Sequence, residues 1–309
     1  MTTAAVDLAG LWVPIVTPFT DHDELDEVSL AALAERLLAD GATGLVALGT
    51  TGEPATLTPQ ERTRVVAVCA GVAERMGRRL IVGAGSNSTV GTIDEIRRLA
   101  AVAPMTAVLV VVPYYTRPSQ AAIVEHFRMV AAASPVPVVA YNVPYRTGST
   151  LAAGALLEIG SHPNVIGLKQ AVGALDHDTL AVLRGRSDAF QILAGDDAFI
   201  VPTILMGGSG AIAAAAHLCT TDVVEMVAAA RAGDVARARA LAQALLGVVA
   251  AGFAEPNPAV WKSALQRLGR ISTGRVRRPM TEATDDATAA LLAAVDRVGP
   301  LRDRTPAAA

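Results

Sequence analysis

Eight short runs of β-branched and apolar residues recur through the first two-thirds of the chain, each followed by a longer amphipathic segment rich in Ala, Leu, Arg and Glu. Such alternation marks repeated βα units, because strands covered by helices on one side and by each other's side chains on the other must be apolar throughout. The runs predict strands at 12–16, 44–48, 80–83, 107–112, 138–141, 165–169, 191–194 and 210–213. Helices are expected to begin near Ser29, Pro59, Thr89, Ser119, Ala152, Asp176, Ala198 and Thr221. Ser29, Thr58, Thr89 and Ser119 suit N-caps or first turns, and Pro59 suits the first helical position, where a missing N–H costs nothing. No linker interrupts the series. Eight units ending together predict an α/β fold of the closed (β/α)8 barrel type rather than an open doubly wound sheet, and 309 residues fit the roughly 200 to 400 that such a barrel occupies.

After the eighth unit the strands stop. Segments 234–253, 258–268 and 282–298 read as helices separated by Pro- and Gly-containing turns. The expected organisation is therefore a catalytic barrel over 1–233 with a C-terminal helical region, 234–309, packed on it through its apolar face. Residues 306–309 are expected to fray.

Composition removes several function classes. At 52% hydrophobic and 18% charged residues the chain has ample material for a core. A net charge of −3 gives no electrostatic footprint for nucleic acid. Pro, Gly and charges punctuate every hydrophobic run short of the ~18 residues of a membrane span, so no membrane partner is expected. Residues 1–10 lack the basic flank of a secretory signal. Cys69 and Cys219 lie in alanine-rich surroundings without ligand spacing and read as buried thiols in a reducing cytoplasm. The five histidines, His22, His126, His162, His177 and His217, show no i, i+4 or H-x-H arrangement, and no Gly-rich dinucleotide fingerprint follows a strand. Neither a metal nor a cofactor is expected.

In a barrel of this kind the active site is built at the C-terminal strand ends. Of 26 basic residues only Lys169 and Lys262 are lysines, so each raises the question of what arginine could not do there. Lys169 ends the sixth strand, at the mouth of an apolar barrel. There an amine can shed its proton and attack a ketone to form a Schiff base, which a guanidinium cannot do. The second strand is followed by Gly49-Thr50-Thr51-Gly52-Glu53, whose glycines and hydroxyls suit a carboxylate and proton transfer. The fifth strand ends in Tyr141-Asn142-Val143-Pro144-Tyr145-Arg146, offering a phenol that shuttles protons and a guanidinium that clamps a carboxylate. Tyr114 and Tyr115 end the neighbouring fourth strand.

Together with Arg117-Pro118-Ser119-Gln120, Gly167-Leu168-Lys169, Gly195-Asp196-Asp197 and Glu255-Pro256-Asn257-Pro258 with Trp261-Lys262, these motifs resemble the dihydrodipicolinate synthase and N-acetylneuraminate lyase family of class I pyruvate-handling lyases, over residues 10–292. The resemblance implies that Lys169 condenses with the keto group of pyruvate. It implies that Thr50 and Thr51 hold the pyruvate carboxylate, with the main chain around Ile212 closing the pocket and Gly195 among the substrate-binding residues. Tyr141 would be the general acid/base, linked through Thr50 to Tyr115, which in this family reaches into a neighbouring subunit's site. A homotetramer made of two tight dimers follows from that likeness, as does a structural role for Lys262, expected to tolerate arginine.

Arg146-Thr147-Gly148 resembles the synthase branch, in which the arginine binds the carboxylate of aspartate semialdehyde. Gln170 after the lysine, Thr116 after the tyrosine pair and the hydroxyl-poor stretch 211–216 depart from that branch. The expected activity is condensation of pyruvate with the small aldehyde aspartate semialdehyde. The alternatives are another pyruvate aldolase or lyase of the family, such as N-acetylneuraminate lyase or a sugar-acid aldolase, and more remotely a non-catalytic binding barrel. Lysine-inhibited synthases of the family commonly carry a histidine in the helix after the Gly-Thr-Thr-Gly-Glu turn and a glutamate four residues past an asparagine in the third unit. Here Arg62 stands in that helix and Gly91 stands four residues past Asn87, which implies insensitivity to lysine unless Glu95 substitutes.

Overall fold

A computed structural model describes residues 6–299 of the chain; the stretch 306–309 lies outside them. The eight apolar runs form β1 Gly10–Val13, β2 Gly44–Ala47, β3 Arg79–Gly83, β4 Ala107–Val111, β5 Val138–Asn142, β6 Val165–Gln170, β7 Gln191–Ala194 and β8 Gly210–Ile212. Each pairs in parallel with the next, and β8 returns to β1, closing the barrel. At that seam the chains approach so closely that a Cβ on Gly210 would stand 2.1 Å from the Gly10 carbonyl oxygen, so only glycine fits. β1 starts and stops earlier than the sequence suggests. It begins at Gly10, which pairs with Gly210, and ends before Pro14, which has no N–H to extend the ladder.

The helices are α1 Glu27–Ala39, α2 Pro59–Arg75, α3 Thr89–Ala100, α4 Gln120–Ala133, α5 Pro144–Thr147, α6 Ala153–Gly160, α7 His177–Gly185, α8 Ile200–Leu205, α9 Ala216–Ala232, α10 Val235–Gly252, α11 Ala259–Arg267 and α12 Asp285–Val298. Thr58 caps α2 in a reciprocal capping box with Glu61, with Pro59 in the first turn, and Ser119 caps α4. Ser29 and Thr89 take the first-turn places open to them: Asp26 caps α1, accepting from Ser29 N, and Ser88 caps α3, accepting from Gly91 N. α9 begins before the expected Thr221 because a further turn precedes a kink at Cys219, with φ −122° and ψ 46°.

Strand alternation divides the core in two. Trp12, Val46, Ile81, Leu109, Val139, Tyr141 and Leu193 fill the barrel interior. Their neighbours, such as Leu45, Val82, Val108, Ala140 and Leu168, pack outward against the helices. Trp12 donates its indole N–H to the Leu8 carbonyl at 2.8 Å and plugs the N-terminal end. Past the barrel, α10 packs against α9 and α12. By length and composition alone α10 is long and apolar enough to cross a membrane, although it carries Arg237 and Arg239.

Candidate active site

β5 and β6 set the centre of the site. Their register pairs Tyr141 with Lys169 and Asn142 with Gln170, so alternation sends Tyr141 and Lys169 into the barrel and the other pair outward. Lys169 is only 7% exposed, with its Nζ 4.3 Å from the centroid of the Tyr141 ring. Outside the barrel, Asn142 Nδ2 donates to Gln170 Oε1, and Gln170 Nε2 donates to Thr179 Oγ1 at the start of α7. Gln170 thus ties β5 and β6 to the helical layer.

Above Lys169 lies a cavity of about 560 Å³, lined by Thr50, Thr51, Tyr141, Arg146, Lys169, Gly195 and Ile212 among others. Seven of the eight residues singled out in the sequence therefore share one space. The eighth, Tyr115, does not line it: it is 88% exposed with a left-handed φ of 72°. Tyr114 instead lines a second, more apolar cavity of about 420 Å³, which shares Thr50, Tyr141, Arg146 and Asn257 with the first. A third cavity, of about 680 Å³, lies at the opposite end of the barrel around Asp7, Arg186 and Ser209, far from the strand ends that build active sites in this fold.

The turn after β2 is held under strain. Leu48 and Glu53 both have left-handed φ, 55° and 53°, a conformation that costs a side-chain-bearing residue about 1–2 kcal/mol. The surroundings enforce it. Glu53 accepts from Lys262 Nζ at 2.8 Å and from Arg277 N at 2.9 Å, and Thr17 Oγ1 donates to the Gly52 carbonyl at 2.7 Å. Lys262 also donates to the Thr17 carbonyl and lies 4.2 Å over the Phe19 ring. Burial draws its ammonium pKa down to about 8, with Glu53 opposing. Any arginine at 262 would have to share this buried space with Phe19 and the Arg277 guanidinium, which stands 4.3 Å over the same ring. Asn257, between α10 and α11, donates through Nδ2 to Thr51 Oγ1 at 3.0 Å.

Two further buried groups brace the strand ends, and of these only Asp197, from the Gly195-Asp196-Asp197 motif, lines the cavity. Asp197 follows β7 and accepts from Ala215 N at 2.7 Å and Ala214 N at 3.3 Å; burial raises its pKa to about 6 against those bonds. His217 accepts from Val16 N through Nε2 at 3.1 Å, and its Nδ1 lies 2.9 Å from the Ala214 carbonyl. Burial lowers its pKa to about 4, so the ring is neutral and its two nitrogens join the β1 and β8 ends as acceptor and donor. Tyr145 donates to Asp196 at 3.2 Å. A steric relation completes the floor: a Cβ on Gly195 would stand 3.0 Å from Lys169 Cγ and 2.8 Å from Ala171 Cβ. Among the described residues no group of three or more His, Cys, Asp or Glu is placed to hold a metal ion.

A nucleophilic amine against a phenol, with two threonines on a rigid turn and a guanidinium at the rim, can bind a keto acid covalently and move protons around it. The model of the dihydrodipicolinate synthetase family matches residues 7–298. The chain belongs to the dihydrodipicolinate synthetase family. A curated family member, the 4-hydroxy-tetrahydrodipicolinate synthase of Heliobacterium modesticaldum, is 36% identical over 95% of this chain and 97% of its own length. Among solved structures of the family, the chloride-inhibited dihydrodipicolinate synthase of Acinetobacter baumannii complexed with pyruvate superposes with a TM-score of 0.90 at 32% identity, covering 94% of this chain and 99% of that one. The DHDPS of Cyanidioschyzon merolae with lysine bound also gives 0.90 at 32% identity, covering 94% and 98%.

Proposed function

We propose that this chain condenses pyruvate with L-aspartate 4-semialdehyde to give 4-hydroxy-tetrahydrodipicolinate through a Schiff base on Lys169. One observation carries the reading: Lys169 and Tyr141 face each other across the β5/β6 register inside a cavity that also holds Thr50 and Thr51. Lys169 Nζ attacks C2 of pyruvate, and the keto oxygen leaves as water. Loss of a C3 proton gives the enamine, whose C3 bonds to the aldehyde carbon. The amino group of the bound semialdehyde then replaces Lys169 on C2, closing the ring and freeing the lysine. Tyr141 moves these protons, relayed through Thr50. Thr51 and the Ile212 main chain hold the pyruvate carboxylate, and Gly195 leaves room for the Schiff-base stem. Arg146, exposed at the cavity rim, receives the carboxylate of the aldehyde.

Tyr115 completes the relay from a second copy of the chain, within a homotetramer of two tight dimers; its exposure and absence from its own cavity support that assignment. The enzyme works in the cytoplasm, where its buried thiols Cys69 and Cys219 stay reduced. Gln170 carries little weight for a lyase activity, because its side chain is engaged outside the barrel by Asn142 and Thr179. Reduction with borohydride in the presence of pyruvate, read by intact mass, tests the Schiff base: a single reduced pyruvyl adduct on Lys169 is expected, and its absence overturns the mechanism. Cleavage of N-acetylneuraminate with no turnover of aspartate semialdehyde would transfer the assignment to the lyase branch.

A further inference from the structure

The C-terminal helical region touches the carboxylate-binding turn at two points. Lys262 and the Arg277 backbone fix Glu53 at the end of that turn, and Asn257 reaches Thr51 in its middle, 206 residues away in sequence. The first contact sets the backbone. The second acts on the hydroxyl of a residue that lines the cavity.

Asn257 is bonded at one end only. Its Nδ2 donates to Thr51 Oγ1 at 3.0 Å, whereas its Oδ1 is buried and has no protein partner. An asparagine kept for its carbonyl would bond that carbonyl, so the use of this side chain is donation. A threonine hydroxyl has one proton and two lone pairs. Once a lone pair of Thr51 is taken by an amide N–H, the hydroxyl cannot donate toward the carboxamide, and its proton is left for an acceptor on the cavity side. Thr51 lines that cavity, and so does Asn257. The acceptor that fits is a carboxylate oxygen, for which the directed O–H is a preorganised donor.

We propose that Asn257 is a positioning residue for the keto-acid subsite, orienting the Thr51 hydroxyl so that it donates to the carboxylate of pyruvate. The proposal rests on the pyruvate reading above and adds to it a determinant supplied by the helical region. It also accounts for the chemistry at 257: aspartate has nearly the same shape but only acceptors, and would turn the Thr51 proton away from the substrate while placing a negative charge beside it.

The test is borohydride trapping at graded pyruvate, which reads half-saturation of the adduct independently of turnover, combined with steady-state kinetics and melting. The wild type serves as control, since failure to trap pyruvate there would sink the underlying mechanism rather than the role of Asn257. Asn257→Asp is expected to melt within about 3 °C of wild type and to raise both the half-saturation and the KM for pyruvate at least ten-fold, with kcat and the KM of the aldehyde within three-fold. Asn257→Ala is expected to raise the pyruvate values three- to ten-fold, and this effect should vanish in a Thr51→Val background, because the amide acts only through that hydroxyl. Wild-type pyruvate affinity in the aspartate variant overturns the proposal. If that variant does not fold, the alanine and valine cycle decides alone: an alanine effect of equal size with and without the Thr51 hydroxyl overturns it.

Discussion

Lys262 donates to Glu53 across 2.8 Å where neither side chain meets solvent, 0% and 3% of their side-chain areas being exposed. A buried pair of this kind adds little net stability when whole but is costly to break, since the surviving charge is stranded. Lys262→Met is therefore expected to lower unfolding free energy by about 3–5 kcal/mol, and adding Glu53→Gln should recover part of the loss. Lys262→Arg should cost about 1–3 kcal/mol by overpacking a site already shared with Phe19 and Arg277. Denaturant unfolding reads both; a Lys262→Arg protein within about 0.5 kcal/mol of wild type would show that the pocket accepts a guanidinium without overpacking.

Lys169→Arg retains the charge and has the 560 Å³ cavity beside it to take the extra volume, so folding should persist while adduct formation is lost. Turnover near wild type would remove Lys169 from the mechanism. Gly195→Ala supplies a milder test of the same amine. The new methyl would stand 3.0 Å from Lys169 Cγ and 2.8 Å from Ala171 Cβ, and the small displacement of the lysine stem that follows should slow adduct formation, by less than the roughly 10²-fold of a 1 Å misplacement, without abolishing it.

How far the chain could be read in advance depended on sequence distance. Strand ends were legible because apolar runs and the residues after them are local, which is how Lys169, Tyr141, Thr50 and Arg146 came to be grouped. β1 stops short of the apolar pair Ile15 and Val16 because Pro14 has no N–H for the ladder. What stayed hidden were bonds between distant segments: Asn257 to Thr51 and Lys262 to Glu53 span 206 and 209 residues. Each of those residues lies in a motif, but no pattern of spacing says which motif faces which. His217 gave no signal at all, since a lone histidine in an alanine run is ordinary core.

In the proposed mechanism Arg146 and Lys169 serve different substrates, one from the exposed side of the cavity and one from within the barrel. Arg146→Ala is expected to raise the KM for aspartate semialdehyde ten-fold or more while that for pyruvate changes less than three-fold, since the proposed mechanism brings only the aldehyde's carboxylate to the guanidinium. Equal increases for both substrates would place the guanidinium on pyruvate or in the structure of the loop.

Acid stability should report His217. Its folded pKa of about 4 lies below the ~6.5 of an unfolded histidine, so below pH 6.5 the unfolded chain binds a proton that the folded chain refuses. The stability this group contributes is present above pH 6.5 and is lost as pH falls toward 4, on the order of 3 kcal/mol in all. Asp197 has the opposite sign. Raised to about 6 from 3.8, its contribution is full below 3.8 and lost as pH rises through 6, which flattens the net curve. In His217→Gln, unfolding free energy should be lower at pH 7 yet fall less between pH 6.5 and 4, the slope differing from wild type by up to about 1.4 kcal/mol per pH unit. Parallel curves would show that the imidazole is not the titrating group.

Regulation gives the last test. A lysine ligand brings two ammonium groups and needs carboxylates to receive them. Beside the catalytic cavity, the wall around Pro54 and Ser86 offers Arg62 instead, whose guanidinium is fixed by two bonds to the Pro54 carbonyl. Glu95, the carboxylate that could have substituted, is already taken: Arg62 donates to it at 3.3 Å, and Arg98 donates to both its oxygens at 2.7 and 2.8 Å. Burial works to raise its pKa, but the bonds from Arg98 and Arg62 prevail and hold it below the usual carboxylate value. Capturing Glu95 would require a lysine to displace two guanidiniums and leave both unpaired, an exchange with no net gain. Millimolar L-lysine at sub-saturating pyruvate is therefore expected to change the rate by less than 10–20%, and Arg62→His alone should not create inhibition while Gly91 supplies no carboxylate. Saturable inhibition of the wild type would show that an acidic pair elsewhere on the chain, or on a second copy, receives the ligand.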